Sequence, residues 1–291
     1  MSARTVAIAT CGEVGELDID APRLISALAE RGIAAHPATW DDPEVDWLAY
    51  ELVIVRSTWD YPRRRDAFVA WAERLPRVLN SAEVLRWNTD KCYLGELAAA
   101  GVPTVPTIFA APGDDAALPD WPEFVIKPTI SVGSADTARW RRGTDDATAL
   151  AHLRDLHAAG RTAMLQPYLA GVDVAGESAL LFIGGAFSHS VRKAPILSAG
   201  EGPTPLAIGA YREQITPREA GAAERAVAEK VLAAVPGGAA ELLYARVDLL
   251  PGTDGSPVLL ELELTEPALF LWAAPGSVEQ LADAVLRALV G

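Results

Sequence analysis

Apolar and charged residues alternate strictly through Leu260-Glu261-Leu262-Glu263-Leu264, which predicts a strand with the three leucines on one face. Glu261 and Glu263 then share the other face, roughly 7 Å apart by strand rise. Upstream, the apolar run Leu242–Leu250 predicts a second strand in which Arg246 and Asp248 share a face. The turn-forming stretch Pro251-Gly252-Thr253-Asp254-Gly255-Ser256-Pro257 joins the two. Folded back as a hairpin, the pair sets Asp248 opposite or next to Glu261. Three carboxylates on one patch repel unless a hard cation sits among them, and an oxygen donor set of this kind suits Mg²⁺.

The same reading organises the rest of the chain. Strands are expected at Val6–Thr10, Ile33–Ala38, Leu52–Val55 and Arg77–Leu79, with helices at Ala21–Arg31 and Asp66–Leu75 between them. Alternating strands and helices predict βαβ units and a mainly parallel sheet. Ligands of such sheets sit beyond the carboxyl ends of the strands, which draws attention to Thr10-Cys11-Gly12 and to Arg56-Ser57-Thr58-Trp59-Asp60-Tyr61. Asn88 reads as the N-cap of a helix that Gly101 ends. A small second unit follows, with strands at Phe124–Lys127, Thr137–Arg141 and Ala163–Gln166. Its helix, Asp146–Ala159, is expected to turn Leu150, Leu153 and Leu156 inward. The remainder predicts an antiparallel sheet from Ser178–Ile183, Phe187–Arg192, Leu242–Leu250 and Val258–Leu264. Thr216-Pro217-Arg218-Glu219 reads as a capping box opening a helix to about Val235, and Ser277-Val278-Glu279-Gln280 opens the last helix the same way. Residues 194–210 lack periodicity and have the length of a lid or binding loop.

Composition narrows the chemistry. The 291 residues are half apolar, enough for one large or two to three small domains. A formal net charge of −14 argues against nucleic acid or an anionic membrane as the main partner, so an anionic ligand needs a local basic site. Two cysteines, Cys11 and Cys92, make no disulfide framework, and no apolar run reaches the ~20 residues that span a bilayer. With no signal peptide before the first strand, a cytoplasmic protein is expected, and an isologous dimer is the expected assembly. The four histidines show no zinc spacing, and His36, His152 and His157 read as loop or helix-surface residues. No Walker-type phosphate loop, dinucleotide fingerprint or nucleophile elbow is present.

Two lysines stand out. Lys91 sits in the first turn of the expected Asn88 helix, where a cation opposes the helix dipole and a bound anion reverses the sign. Lys127 ends the apolar strand Phe124-Val125-Ile126-Lys127 and precedes the small-residue loop Ser131-Val132-Gly133-Ser134-Ala135-Asp136. A lysine there can hold a phosphate while loop N–H groups wrap it. Gln166-Pro167-Tyr168-Leu169 leaves a strand as a linker able to offer backbone groups to a purine, and Asp173 and Glu177 beyond it could accept from ribose hydroxyls.

In this order the pieces resemble the ATP-grasp superfamily: Lys91, Lys127, the loop 131–136, the hinge 166–169, then Asp248, Glu261 and Glu263. The resemblance covers about Asn88–Trp272. It implies an α/β fold of three parts: an N-terminal βαβ parallel-sheet unit (1–87), a linker helix with a small central α+β unit (88–167), and a C-terminal antiparallel sheet with helices (168–291). It implies that Lys91, Lys127, Ser131, Gly133 and Ser134 meet ATP phosphates, that Gln166, Pro167, Tyr168 and Leu169 receive adenine, and that Asp173 or Glu177 takes the ribose. Asp248, Glu261 and Glu263 are implied ligands of Mg²⁺. Two features depart from many members: the loop holds a single glycine, Gly133, and Glu263 stands where Asn is frequent.

A narrower resemblance rests on Ser57-Thr58-Trp59-Asp60-Tyr61, Asn88-Thr89-Asp90-Lys91, Phe187-Ser188-His189 and Glu261-Leu262-Glu263-Leu264-Thr265-Glu266-Pro267. These strings are similar to those of the D-cycloserine synthetase family, ligases that cyclise O-ureido-D-serine. That resemblance implies ATP-driven activation of a carboxylate, attack by a nitrogen of the same molecule, and a small amino-acid-like substrate. Arg192, Lys193 and Arg246 are the candidates to stabilise charge during transfer. Ser57 and Trp59 lie at the expected substrate end, and Asp60, Thr265 and Glu266 are candidates to hold a substrate ammonium.

Overall fold

The computed structural model describes residues 4–14, 18–115, 117–208 and 214–290. The first sheet contains β1 (Arg4–Thr10), β2 (Ile33–Thr39), β3 (Leu52–Ser57) and β4 (Val78–Leu79), in the order β2-β1-β3-β4 and parallel throughout. Helices α1 (Ala21–Ala29) and α2 (Arg65–Arg74) make the crossovers. Because β3 is buried along its whole length, its polar end residues Arg56 and Ser57 are carried into the interior rather than onto the surface.

Two short helices follow, α3 (Ala82–Asn88) and α4 (Tyr93–Ala99). Asn88 therefore ends a helix instead of starting one. Ser81 is the N-cap, its hydroxyl accepting from the backbone N–H of Val84 at 3.3 Å, and the chain breaks at residues 89–92 before resuming. The second sheet pairs β5 (Ile108–Ala110), β6 (Glu123–Pro128), β7 (Ala138–Arg141) and β8 (Ala163–Pro167) antiparallel, in the order β5-β8-β6-β7, with α5 (Asp146–Ala158) against it. In α5 the inward residues are Ala149, His152, Leu153 and Leu156; Leu150 is only half-buried. His152 is not a surface residue: its ring meets the Trp140 indole N–H at 3.3 Å and the Asp136 carbonyl at 3.1 Å.

After the single turn α6 (Val172–Ala175), the third sheet comprises β9 (Glu177–Ile183), β10 (Ala186–Lys193), β11 (Ile215–Arg218), β12 (Tyr244–Pro251) and β13 (Pro257–Glu263). Its order is β11-β10-β9-β12-β13, antiparallel throughout. Helix α7 (Ala222–Ala233) begins later than its sequence suggests, because Thr216, Pro217 and Arg218 pair with β10 as an edge strand, a place that tolerates proline. The side chain of Glu224 then reaches back to the Gly221 N–H at 2.7 Å. Helix α8 (Ser277–Val290) closes the chain.

One apolar cluster joins α1 and α8 to the first sheet and one face of the third; another joins α4 and α7 to the third sheet's opposite face. The edge strand β13 is sealed by side chains. The Asn88 amide donates to the Leu262 carbonyl at 2.8 Å and accepts from the Leu264 N–H at 2.7 Å, while the Tyr93 hydroxyl both donates to and accepts from Leu262. These side chains satisfy backbone groups at Leu262 and Leu264, and the backbone of residues 103–105 bridges the strand at Leu259.

Candidate functional site

The register of the hairpin fixes the site. Asp248 pairs with Glu261 and Arg246 with Glu263, so the four charged side chains lie across two neighbouring strands, as their spacing predicts. Strand β13 presents Glu261 and Glu263 to a cavity of about 320 Å³ that opens between the second and third sheets. The cavity is also lined by Lys91, Lys127, Ser131, Gly133, Ser134, Gln166, Pro167, Tyr168, Leu169, Glu177, Lys193, Arg246 and Glu266, together with Trp59 from the first unit. Candidates separated by up to about two hundred positions thus meet in one place.

Charge there is balanced by protein cations. Arg246 holds Asp248 at 2.8 Å and Glu263 at 2.5 Å, and Lys193 lies 2.5 Å from Glu177 and 3.3 Å from Asp248. Lys91 lies 3.1 Å from Glu261 and donates to the Ser131 carbonyl at 2.6 Å. Among the described residues no three His, Cys, Asp or Glu side chains converge as a ligand group. The physical reason is Arg246, which stands between Asp248 and Glu263, and Asp248 itself is buried beneath it rather than lining the cavity. These basic neighbours, and not a bound cation alone, relieve the repulsion expected among the three carboxylates.

The electrostatics divide the acids. Burial would raise Asp248, yet Arg246 and Lys193 hold its carboxyl well below the usual range. Burial is likewise overcome at Glu261 by Lys91 and Lys127. At Glu263 burial prevails over Arg246, with help from Glu261 and Asp248, and the carboxyl is raised to about 7. Glu266 is pushed well above the ordinary value by burial and by Glu263 and Glu261. Lys127 is lowered by burial, with Glu261 opposing and Lys91 reinforcing the shift. Its ammonium forms no hydrogen bond or ion pair among the described residues.

A carboxyl raised on folding binds its proton more tightly in the native state, so it detracts from stability as pH rises from its unfolded value to its folded one. Glu263→Gln should therefore gain stability relative to the parent chain between pH 4.5 and about 7, by up to about 3 kcal/mol in the metal-free protein. Melting temperatures of both proteins across that interval check it; a constant difference would contradict the raised carboxyl.

The small-residue loop takes positive φ at Gly133 (58°), Ser134 (57°) and Asp136 (53°). Only glycine adopts that conformation freely, and Ser and Asp tolerate it as single residues. The loop is braced from outside by Arg161 on Asp136 at 2.6 Å and by the Asp136 N–H on the Thr204 carbonyl at 2.8 Å. Residues 194–197 and 204–208 of the expected lid also line the cavity; residues 209 and 210 lie outside the described residues.

Several candidates face elsewhere. Arg192 donates to the Ala175 and Val174 carbonyls and braces the end of α6, where Gly176 is required because a Cβ would meet the Lys193 carbonyl at 2.6 Å. Alternation along β10 turns Lys193 in and Arg192 out. Asp60 accepts from the Trp40 indole at 2.8 Å and from Arg64 at 3.0 Å, a buried bracket within the first unit. Ser57 meets the Thr10 hydroxyl at 3.0 Å, and Thr265 donates to Asn88 at 3.2 Å. Asp173 accepts from the Tyr168 hydroxyl at 2.5 Å and does not line the cavity, whereas Glu177 does.

The segment after β13 also lines the cavity, through Glu266, Ala268 and Phe270. Phe270 is left-handed (φ 49°, ψ 41°), a strain of order 1–3 kcal/mol for a bulky residue. The sequence reading names Glu266 but misses Ala268, Phe270, Asn88, Tyr93 and Tyr244. Ser81, followed by Glu83 in a first helical turn, is the signal that could have released Asn88 from the N-cap role.

Comparison with known proteins fixes the family. Residues 6–80 match the model of the D-cycloserine synthetase DcsG N-terminal domain. The cycloserine biosynthesis protein DcsG of Streptomyces lavendulae is 38% identical over 288 residues, covering 94% of this chain and 95% of that protein. The chain belongs to the D-cycloserine synthetase family. A crystal structure of D-cycloserine synthetase DcsG superposes with a TM-score of 0.89 at 36% identity, over 98% of this chain and 99% of that one. Beyond the synthetase family, the D-alanine–D-alanine ligase of Bacillus anthracis, solved in complex with ATP, shares the fold at 14% identity (TM-score 0.68; 98% and 96% covered). The fold is ATP-grasp, and this synthetase-family chain is an ATP-dependent ligase. Among the described residues no helix is long and apolar enough to cross a membrane.

Proposed function

We propose that the chain activates the carboxylate of O-ureido-D-serine with ATP and closes it to D-cycloserine. The observation that carries this reading is the 38% identity to DcsG across 94% of the chain, joined to a cavity in which two buried lysines face two glutamates. In the balanced reaction ATP phosphorylates the carboxylate, the ureido nitrogen bonded to oxygen attacks the acyl carbon, and phosphate leaves. Water then removes the carbamoyl group as CO₂ and NH₃. The chain is proposed to work in the cytoplasm, as the units 1–87, 88–167 and 168–291.

The residues divide the work by position. Lys91 and Lys127 would meet phosphate oxygens, with the N–H groups of 131–136 around them. The apolar walls Val105, Leu169, Leu250 and Leu260 and the backbone of 166–169 suit a purine. Glu177 is the better of the two ribose candidates, since it lines the cavity and Asp173 does not. Arg246 and Lys193 reach the same face and would neutralise charge gathering at the acyl centre. Glu261 and Glu263 supply hard oxygen donors to the cavity, a chemistry that fits Mg²⁺; Asp248, held by Arg246, would complete the set only with Arg246 displaced. The ion, when bound, would neutralise phosphate charge. Glu266, Trp59 and Phe270 would enclose the amino-acid end, leaving both reacting groups of one molecule close together.

ADP release with Mg-ATP and O-ureido-D-serine as the sole co-substrate tests this, with the product mass recorded. ADP together with the mass of cycloserine is expected. Protein that binds ATP yet releases no ADP with this compound would overturn the substrate, and a requirement for a separate amine would replace the cyclase by an intermolecular ligase.

A further inference from the structure

The wall segment Thr265–Leu269 has an unusual backbone. Its five consecutive carbonyls each lie within hydrogen-bond reach of a different side-chain donor: Thr265 of the Tyr244 hydroxyl (3.0 Å), whose proton the Val55 carbonyl shares, Glu266 of the Trp59 indole (3.1 Å), Pro267 of Arg56 (3.1 Å), Ala268 of Arg246 (3.3 Å) and Leu269 of His189 (3.0 Å). The donors come from β3 and the residues after it, β10 and β12. The segment lies outside every helix and strand, with a bend at Thr265 and Glu266, so these side-chain donors hold its carbonyls. Its residues alternate, with Glu266, Ala268 and Phe270 facing the cavity while Thr265 and Leu269 are buried away from it.

Four of those donors serve other roles or lie close to the cavity. His189 differs. It is buried in β10, does not line the first cavity, and borders a second one of about 240 Å³ with Ser188, Arg218 and Ala273. A carbonyl can only accept, so Nε2 carries the proton toward Leu269. In the neutral ring Nδ1 is then the acceptor, and the Ser188 hydroxyl 3.0 Å away supplies its proton. The Leu269 carbonyl thus sets the tautomer, the Ser188 hydroxyl satisfies the other ring nitrogen, and the residue after Leu269 is the left-handed Phe270 on the cavity wall.

We propose that His189 is a positioning residue for the amino-acid substrate, setting Phe270 and Ala268 against it through the Leu269 carbonyl without touching the substrate. The proposal rests on the cyclo-ligase reading for the identity of that substrate; the backbone effect does not. The segment it holds carries Glu266, Ala268 and Phe270, none of which is among the residues assigned to ATP, so loss of the donor should be felt by one substrate more than the other.

His189→Ala and His189→Gln test it, since a glutamine amide can place a donor where imidazole Nε2 stands. The alanine variant should raise KM for O-ureido-D-serine about tenfold, with ATP affinity by calorimetry within about twofold of the parent. The glutamine variant should recover most of the loss. Hydrogen exchange, which needs no substrate, should accelerate in the peptide spanning 265–274 of the alanine variant and stay unchanged at 123–136. Unchanged exchange at 265–274 would overturn the proposal, as would equal losses for both substrates or a glutamine variant no better than alanine. Absence of turnover in the parent chain with exchange altered as expected would remove the assigned substrate and leave His189 as the segment's holder.

Discussion

Glu261→Gln should reduce turnover by about a thousandfold, equivalent to ~4 kcal/mol of transition-state stabilisation, and leave the fold intact. Glu261 is the acid on which both cavity lysines converge: Lys91 is 3.1 Å away, and its charge and that of Lys127 hold the carboxyl below its ordinary value. Glutamine keeps the shape and one acceptor oxygen but loses the charge. Lys91 then loses its ion-pair partner, Lys127 loses a longer-range opposing charge, and the cavity loses a hard donor. Stability should fall modestly, because buried Lys91 loses its ion pair while water in the cavity replaces part of it. Steady-state ADP release and melting temperature, measured on the same preparation, separate the two effects. Retained turnover would remove Glu261 from the metal-holding set and leave Glu263 as the carboxylate of β13 to test next.

The reason this residue can be singled out from sequence is that its information is local. Strict alternation puts Glu261 and Glu263 on one face, but the register counted from the turn Pro251–Pro257 would set Asp248 against Leu260; a β-bulge between Asp248 and Leu249, which leaves no sequence signal, moves it to Glu261 and turns Leu260 away from Leu262 and Leu264 toward the cavity. Lys127 is legible for a similar reason, as a charge ending an apolar strand. What sequence conceals is which partner a charged group finds. Arg246 shares a face with Asp248, which the pattern shows, but its insertion between Asp248 and Glu263 is a matter of side-chain reach. Asn88 is misread because capping is the commoner use of a helix-proximal asparagine; its actual role, sealing an edge strand some 174 positions away, leaves no local trace. His152 is misread because a histidine at a helix position says nothing of Trp140 beside it. Arg192 and Lys193 are adjacent in sequence and opposite in role, which strand alternation decides once the direction of the sheet's faces is known.

Lys127→Met should separate function from stability in opposite directions. The parent ammonium is buried and forms no hydrogen bond or ion pair among the described residues; Glu261 opposes the shift from longer range, but burial and Lys91 lower its pKa below the lysine value. Lys91, by contrast, has Glu261 and a backbone carbonyl to answer it. An unanswered buried cation detracts from the native state, so removing the charge with a side chain of similar length should stabilise the ligand-free protein by ~1 kcal/mol. The same change should weaken ATP binding about a hundredfold, since a charge-assisted bond to phosphate is then lost. The sign is checked by pH. A lysine whose folded pKa is lowered gains stability as it deprotonates, so the advantage of methionine should shrink as pH rises toward 10.5. Thermal denaturation across that range, alongside calorimetric titration with ATP at neutral pH, provides both readings. Weaker ATP binding in a less stable variant would mean that Lys127 is a structural residue whose partner the ligand-free chain already supplies. Stronger stability with unaltered ATP affinity would instead leave Lys91 as the sole phosphate-binding lysine. Loss of affinity with gain of stability is the outcome expected of a charge held without a partner until phosphate arrives.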